Sequence, residues 1–338
     1  MSELQQALFD DVSLPEAASQ SAPASARGIL AAPADPALVA LAASLPAGLH
    51  LGTSSWSFPG WAGLVYGGAY SESALARGGL CAYAQHPLLG AVGIDRTFYA
   101  PIAAADYARY AAQVPAPFRF LVKAPMAITS SWLRDERGNF IDSPHFLDAA
   151  WTIDEFVQPC IAGLAGHAGP LVFQFPPQGR DTTRNPDPFI NRLYRFLKAL
   201  PPLTGGAFFA LEVRDAELLT DRFFKCLQST GVRYCVASHA RMPAPAQQIE
   251  LAARFQDEGA FVARWSLHAG FQYADAKSRY FPFNRLVDED VDSRASLARA
   301  CQAALQRGFD AYVIVNNKAE GSAPLSIARL AQQIATAA

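Results

Sequence analysis

Glu212 and Arg214 stand two residues apart at the end of an otherwise apolar run, AFFALEVR at 207–214. Strand alternation puts Phe209, Leu211 and Val213 on one face and Phe208, Ala210, Glu212 and Arg214 on the other. Buried carboxylates and guanidiniums are costly to desolvate unless paired, so this run end is either a closed ion pair or part of a site that needs polarity. Other apolar runs end the same way. Asp95 shares a face with Gly93 and Thr97, Lys123 with Arg119 and Leu121, and Arg264 with Val262, Ser266 and His268, while Gln174, Asn316 and Asn317 close two further runs. In each alternating run the bulky apolar residues take the opposite face.

These residue types suit recognition of a small anion. Arg214 and Arg264 can grip a carboxylate or phosphate through paired N–H groups, and the collected residues are mildly cationic. Glu212 is the candidate for proton transfer and His268 a candidate partner acid, although neighbouring cations keep a carboxylate ionised and suit it better to orienting a group or acting as a weak base. Lys123 offers either a salt bridge or amine chemistry of the Schiff-base type. Gly321-Ser322-Ala323-Pro324 can open a helix with Ser322 as N-cap, serving as a plain cap or as an anion site. The expected activity is a metal-independent hydrolase or lyase without cofactor, acting on a phosphorylated or carboxylated metabolite. One alternative is a divalent-metal phosphoesterase or isomerase ligated by Asp95, Glu212, His239 and His268, for which six histidines, most of them elsewhere, are a thin supply. Another is a ligand-binding module without turnover.

Eight apolar runs must position these groups: 49–53, 91–97, 118–124, 170–175, 207–214, 232–237, 261–267 and 311–316. Helical patterns follow most of them, at 103–113, 146–165, 188–200, 218–230, 294–308 and 323–337. Alternation of this kind predicts a single (β/α)8 barrel of the TIM type, with the polar run ends at its carboxyl-terminal face. An open doubly wound sheet would carry a glycine-rich phosphate loop after its first strand, and Gly52-Thr53-Ser54-Ser55-Trp56 stands there instead. The connection at 269–292 interleaves Tyr273, Lys277, Arg279, Tyr280, Phe281, Phe283 and Arg285, which suits a lid or a permanently packed cover.

Taken in order, LGTSSWSFPGWAGLVY, DRTFYAP, FRFLVKAP, GPLVFQFPP, LEVR and YVIVNNKAEGSAP resemble the successive motifs of the YecE-like family, domain of unknown function 72, from about residue 49 to residue 330. The resemblance implies a TIM barrel without an established activity. It places the family's polar motif positions on Trp56, Thr97, Phe98, Tyr99, Lys123, Gln174, Glu212, Arg214, Arg264, Asn316, Asn317 and Glu320. Where the family commonly has Glu-x-Asn before Thr-Phe-Tyr, this chain reads Gly93-Ile94-Asp95, so any role of that first carboxylate would pass to Asp95.

A formal net charge of −2 over 338 residues gives no field for gathering nucleic acid in general. Five scattered cysteines without CxxC spacing argue against a disulfide framework or structural zinc, and read as reduced core residues. Pro33, Pro36 and Pro46 interrupt the one long apolar stretch, so no membrane span is expected; without the basic and apolar regions of a signal peptide, a cytoplasmic location is. Residues 1–45 read as a flexible Ala/Pro-rich arm before a barrel domain at 46–338. Within the arm, Gln5, Leu8 and Phe9 have the spacing of the short peptide with which bacterial proteins dock on the replication sliding clamp, or of a helical half-turn packing on the domain.

Overall fold

The computed structural model describes residues 28–336 apart from 136, 257, 269 and 270. Gln5, Leu8 and Phe9, with the rest of 1–27, lie outside the described residues. Among the described residues ten strands follow in chain order: β1 (Leu49–Thr53), β2 (Ala91–Ile94), β3 (Arg119–Lys123), β4 (Trp132–Arg134), β5 (Phe140–Asp142), β6 (Ala168–Phe175), β7 (Phe208–Val213), β8 (Arg233–Ser238), β9 (Phe261–Trp265) and β10 (Ala311–Val315). Eight of them close a parallel barrel in the order β1-β10-β9-β8-β7-β6-β3-β2, while β4 and β5 form a separate antiparallel pair. The eight expected runs are the eight barrel strands.

Alternation sorts the side chains into two cores. Those facing outward, among them Val92, Phe120, Val122, Phe173, Leu211, Val213, Val236, Trp265 and Val315, join the helices in one large apolar cluster. Burying each large side chain contributes roughly 1.5–3 kcal/mol. Those facing inward fill the barrel with Ala91, Leu121, Val172, Ala210, Cys235, Val262, Tyr312 and Ile314. Above this apolar plug the same strands place Lys123, Gln174, Glu212 and Arg264, two positions further along. Gly52 must lack a side chain here, because a Cβ would meet the Ala91 carbonyl oxygen at 2.0 Å.

Local signals account for the helices. Asp187–Ala199 begins with an acid and a proline in its first turn and buries Phe189, Ile190, Leu193, Phe196 and Leu197 on one face. Thr220 caps Asp221–Thr230 by accepting from the Phe223 N–H at 3.2 Å, and Gly231 ends it at φ +70°. The helical stretch at 146–165 is not continuous. It runs as Ala149–Thr152, a π-turn at Ile153–Val157 and Gln158–Leu164, because Pro159 has no N–H to give and its ring crowds the preceding turn.

Two features depart from the sequence reading. Residues 36–44, expected within a flexible arm, form the helix Pro36–Ser44, whose N-cap Asp35 accepts from the Ala37 N–H at 2.9 Å. Leu38, Leu41 and Ala42 pack against the main core, so part of this Ala/Pro-rich stretch is bound to the barrel. The hairpin β4–β5 was not anticipated. Its turn is held by Asp135, whose Oδ1 accepts from the N–H groups of Arg137 and Asn139 at 2.9 and 2.8 Å. Cys160, Cys226, Cys235 and Cys301 are buried thiols, but Cys81 lies on the surface. Among the described residues no helix is long and apolar enough to cross a membrane.

His86 precedes β2, and burial holds its imidazole down to about pKa 4 while Nδ1 accepts from the Leu88 N–H at 3.3 Å. The folded chain therefore resists a proton that the unfolded chain takes up below its ordinary value near 6.5. Stability conferred by neutral His86 is present above pH 6.5 and lost as pH falls through 4. Urea unfolding at pH 7 and pH 5 should show a larger loss for the parent than for His86→Gln; equal losses would refute this account.

Candidate functional site

The polar layer is a consequence of strand register. Gln174 on β6 pairs with Glu212 on β7, and Ala237 on β8 with Arg264 on β9, so the inward residues just before the strand ends stand at similar height. Arg264 Nη1 donates to Glu212 Oε2 at 2.8 Å and to Gln174 Oε1 at 2.9 Å, and its Nη2 reaches Asp95 Oδ2 at 3.3 Å. Arg214 Nη2 lies 2.6 Å from Glu212 Oε1 and donates to Gln174 Oε1 at 3.3 Å. Glu212 is completely buried and held between two guanidiniums. The strand-end pair is thus one link of a network spanning β2, β6, β7 and β9.

Lys123 is buried on β3, with Nζ 3.6 Å above the centre of the Phe98 ring, and its backbone carbonyl accepts from the Thr97 hydroxyl. Lys123, Arg214 and Arg264 bring three positive charges, and Asp95 and Glu212 two negative ones. The three cations are each at most 3 % exposed. Beneath it, burial first and then the charge of Glu212 push the Cys235 thiol well up. The Tyr234 phenol is pushed well up too, by burial, then Cys235, then Glu212. Neither is poised as a nucleophile at neutral pH.

Some residues expected at the mouth do other work. The Trp56 indole donates to the Leu75 carbonyl at 3.1 Å and is buried against Tyr110. Asn317 Oδ1 accepts from the Trp61 indole at 3.1 Å and from the Ala323 N–H at 2.8 Å. Glu320 is completely buried, paired with Arg294 and accepting from the Asp290 N–H at 2.8 Å. These three were candidates for substrate contact; short polar motifs look alike in sequence whether they brace loops or meet ligand. Tyr99 is 48 % exposed on the rim, packed edge-on against Phe98. Asn316 remains at the mouth, donating through Nδ2 to Ser54 Oγ at 2.9 Å. His268 lies in the seventh connection, its N–H donating to the Lys318 carbonyl and its ring edge-on to Phe271.

The helix start at Ser322 is buried, and Ser322 Oγ has no partner among the described residues, so the expected serine cap is not formed. The first residues of the helix are covered, and Asn317 supplies the acceptor for Ala323. The seventh connection packs over it: Leu267, Ala276, Tyr280 and Phe283 form their own apolar cluster with Phe58, and the Val287 N–H donates to the Glu320 carbonyl at 2.8 Å. A Cβ on Gly60 would come 1.8 Å from the Pro282 carbonyl oxygen, so the first and seventh connections touch backbone to backbone.

Asp215 escaped the sequence reading although it directly follows Arg214. Its Oδ1 takes Arg241 Nη2 at 2.8 Å and its Oδ2 the Gln178 N–H at 2.6 Å, while Arg241 Nε donates to the Arg214 carbonyl at 3.3 Å. This brace fixes the backbone carrying Arg214. For the metal reading, Asp95, Glu212, His239 and His268 would have to converge. Among the described residues no group of three or more His, Cys, Asp or Glu side chains could hold a metal ion. The two oxygens of Glu212 are moreover occupied by guanidiniums.

The barrel has counterparts among solved structures. A DUF72 family protein from Enterococcus faecalis V583 aligns with a TM-score of 0.56 and 17% identity over 85% of this chain and 95% of that one. A DUF72 family protein from Thermotoga maritima MSB8 gives 0.52 and 17% over 85% and 98%. At such identity the likeness concerns the fold. No curated protein matches the chain. Residues 50–338 match the family described as "Protein of unknown function DUF72", and the chain belongs to that family.

Proposed function

We propose that the mouth of the barrel binds a small carboxylated or phosphorylated metabolite and acts on it without a metal ion. The convergence of Arg214, Arg264 and Lys123 at one end of the barrel carries this reading: two planar guanidiniums and an ammonium make a donor-rich, positively charged lining of the kind that recognises carboxylate or phosphate. Arg214 and Arg264 would take the anion. Glu212, enclosed by both, is better placed to hold them in register than to exchange protons with a substrate, so it becomes a positioning residue. Lys123 remains the candidate catalytic residue. The Phe98 ring beneath Nζ favours an ammonium, which suits stabilising or protonating a departing oxygen better than attacking as an amine. Such steps belong to hydrolases and lyases, and the architecture commonly hosts them.

Thermal unfolding with inorganic phosphate, citrate and glycerol 3-phosphate, at matched ionic strength and with chelator present, should show stabilisation by at least one anion. A ligand at 100-fold its Kd contributes about 2.7 kcal/mol. Arg214→Lys keeps the charge but loses the planar fork, and should bind that anion about tenfold more weakly, consistent with loss of one charge-assisted hydrogen bond of roughly 1.5–3 kcal/mol. No stabilisation of the parent would sink the reading, and stabilisation only when a divalent ion is supplied would replace it with the metal one. Glu212→Gln, which leaves two buried guanidiniums without their carboxylate, should lower stability in urea by about 3–5 kcal/mol. A loss under 1 kcal/mol would show that the network is not what holds the layer.

A further inference from the structure

The ring of residues around the mouth is divided by chemistry and by exposure. Following the strand order from β3 through β6 and β7 to β9, it presents Lys123, Gln174, Glu212, Arg214 and Arg264, all buried. From β10 through β1 to β2 it presents Asn316, Ser54, Ser55 and Asp95, all half-buried. The second arc is thus the more accessible part of the ring, beside charged groups that are buried. The turn after Asp95 ends at Tyr99, 48 % exposed.

The hydrogen bonds of the second arc are incomplete in a particular way. Ser54 Oγ accepts from Asn316 Nδ2 at 2.9 Å, so its own O–H points to another acceptor, and none is found among the described residues. The Asp95 carboxylate can accept about four hydrogen bonds. It receives one from the described residues, through Oδ2 from Arg264 at 3.3 Å; Oδ1 is buried, so Oδ2, on a side chain 19 % exposed, is the oxygen with room for a further donor. β1 and β2 are paired neighbours, and a Cβ at Gly93, two residues before Asp95, would lie 3.1 Å from the Ser54 carbonyl oxygen. A donor and an acceptor therefore stand on adjacent strands beside a cationic floor. A hydroxyl group, which both accepts and donates, answers both; a bare alkyl chain answers neither.

We propose that the anion taken at this mouth is polyhydroxylated, a sugar acid or a sugar phosphate, with its charged group over Arg214 and Arg264 and its hydroxyls along Asp95, Ser54 and Ser55. This rests on the anion reading above and narrows it. Sites that hydrogen-bond a substrate hydroxyl reject the analogue lacking it, because their polar groups are then left facing carbon.

Titration calorimetry at matched ionic strength with two pairs, gluconate against hexanoate and glycerol 3-phosphate against n-propyl phosphate, separates charge from hydroxyls and carboxylate from phosphate. In at least one pair the hydroxylated member should bind tenfold or more tightly. Ser54→Ala should bring that ratio toward one. Asp95→Asn should narrow it from both sides, weakening the hydroxylated member by loss of the stronger acceptor and tightening the plain anion by loss of a negative charge. Equal affinities within both pairs, or a ratio unmoved in both variants, would overturn this inference and leave the anion reading standing; if no member of either pair binds, both fail.

Discussion

Glu212 held between Arg214 and Arg264 is the interaction around which the mouth of this barrel is arranged. A buried carboxylate with a single guanidinium would be a local pair, with its geometry settled within one strand end. With two, and with Gln174 accepting from both arginines, the contact joins β6, β7 and β9 and, through Asp95, β2. Desolvation makes each of these groups expensive alone, so removing one exposes the others to the low dielectric of the barrel. The network therefore fixes side chains that would otherwise sample many rotamers.

Supporting layers enclose this network. Below it, Leu121, Val172, Ala210, Cys235, Val262 and Ile314 leave the polar groups no path downward. Beside it, the Asp215–Arg241 pair ties the connection after β7 to the one after β8. Above the eighth strand, Glu320 anchors Arg294 and the backbone of Asp290, and the seventh connection lies over this with an apolar cluster of its own. The long aromatic connection is thus a built cover. The arc at β10, β1 and β2 is only half-buried, and there Asn316, Ser54 and Ser55 stand beside the Asp95 carboxylate.

The number, order and approximate limits of the barrel strands follow from the sequence, because a parallel barrel buried on both faces needs continuous apolar runs and separates them by helical patterns. Inward polarity at the run ends was equally legible, since period-two alternation admits one assignment once the outward face must meet helices. Which polar residues meet was not. Trp56, Asn317 and Glu320 belong to motifs that read like those around Lys123 and Glu212, yet they cap a helix, brace a loop or bury an indole. The helix Pro36–Ser44 was hidden by composition: Ala and Pro suggest a loose chain, and only the Asp35 cap and packing on the core make that stretch ordered. By itself the sequence determined the barrel and the face at which its polar run ends gather, since both depend on local periodicity. Tertiary structure alone decided the partners of each charge and the division of the mouth into a buried cationic floor and an open hydroxyl-bearing arc, because register between strands far apart in the chain sets those distances.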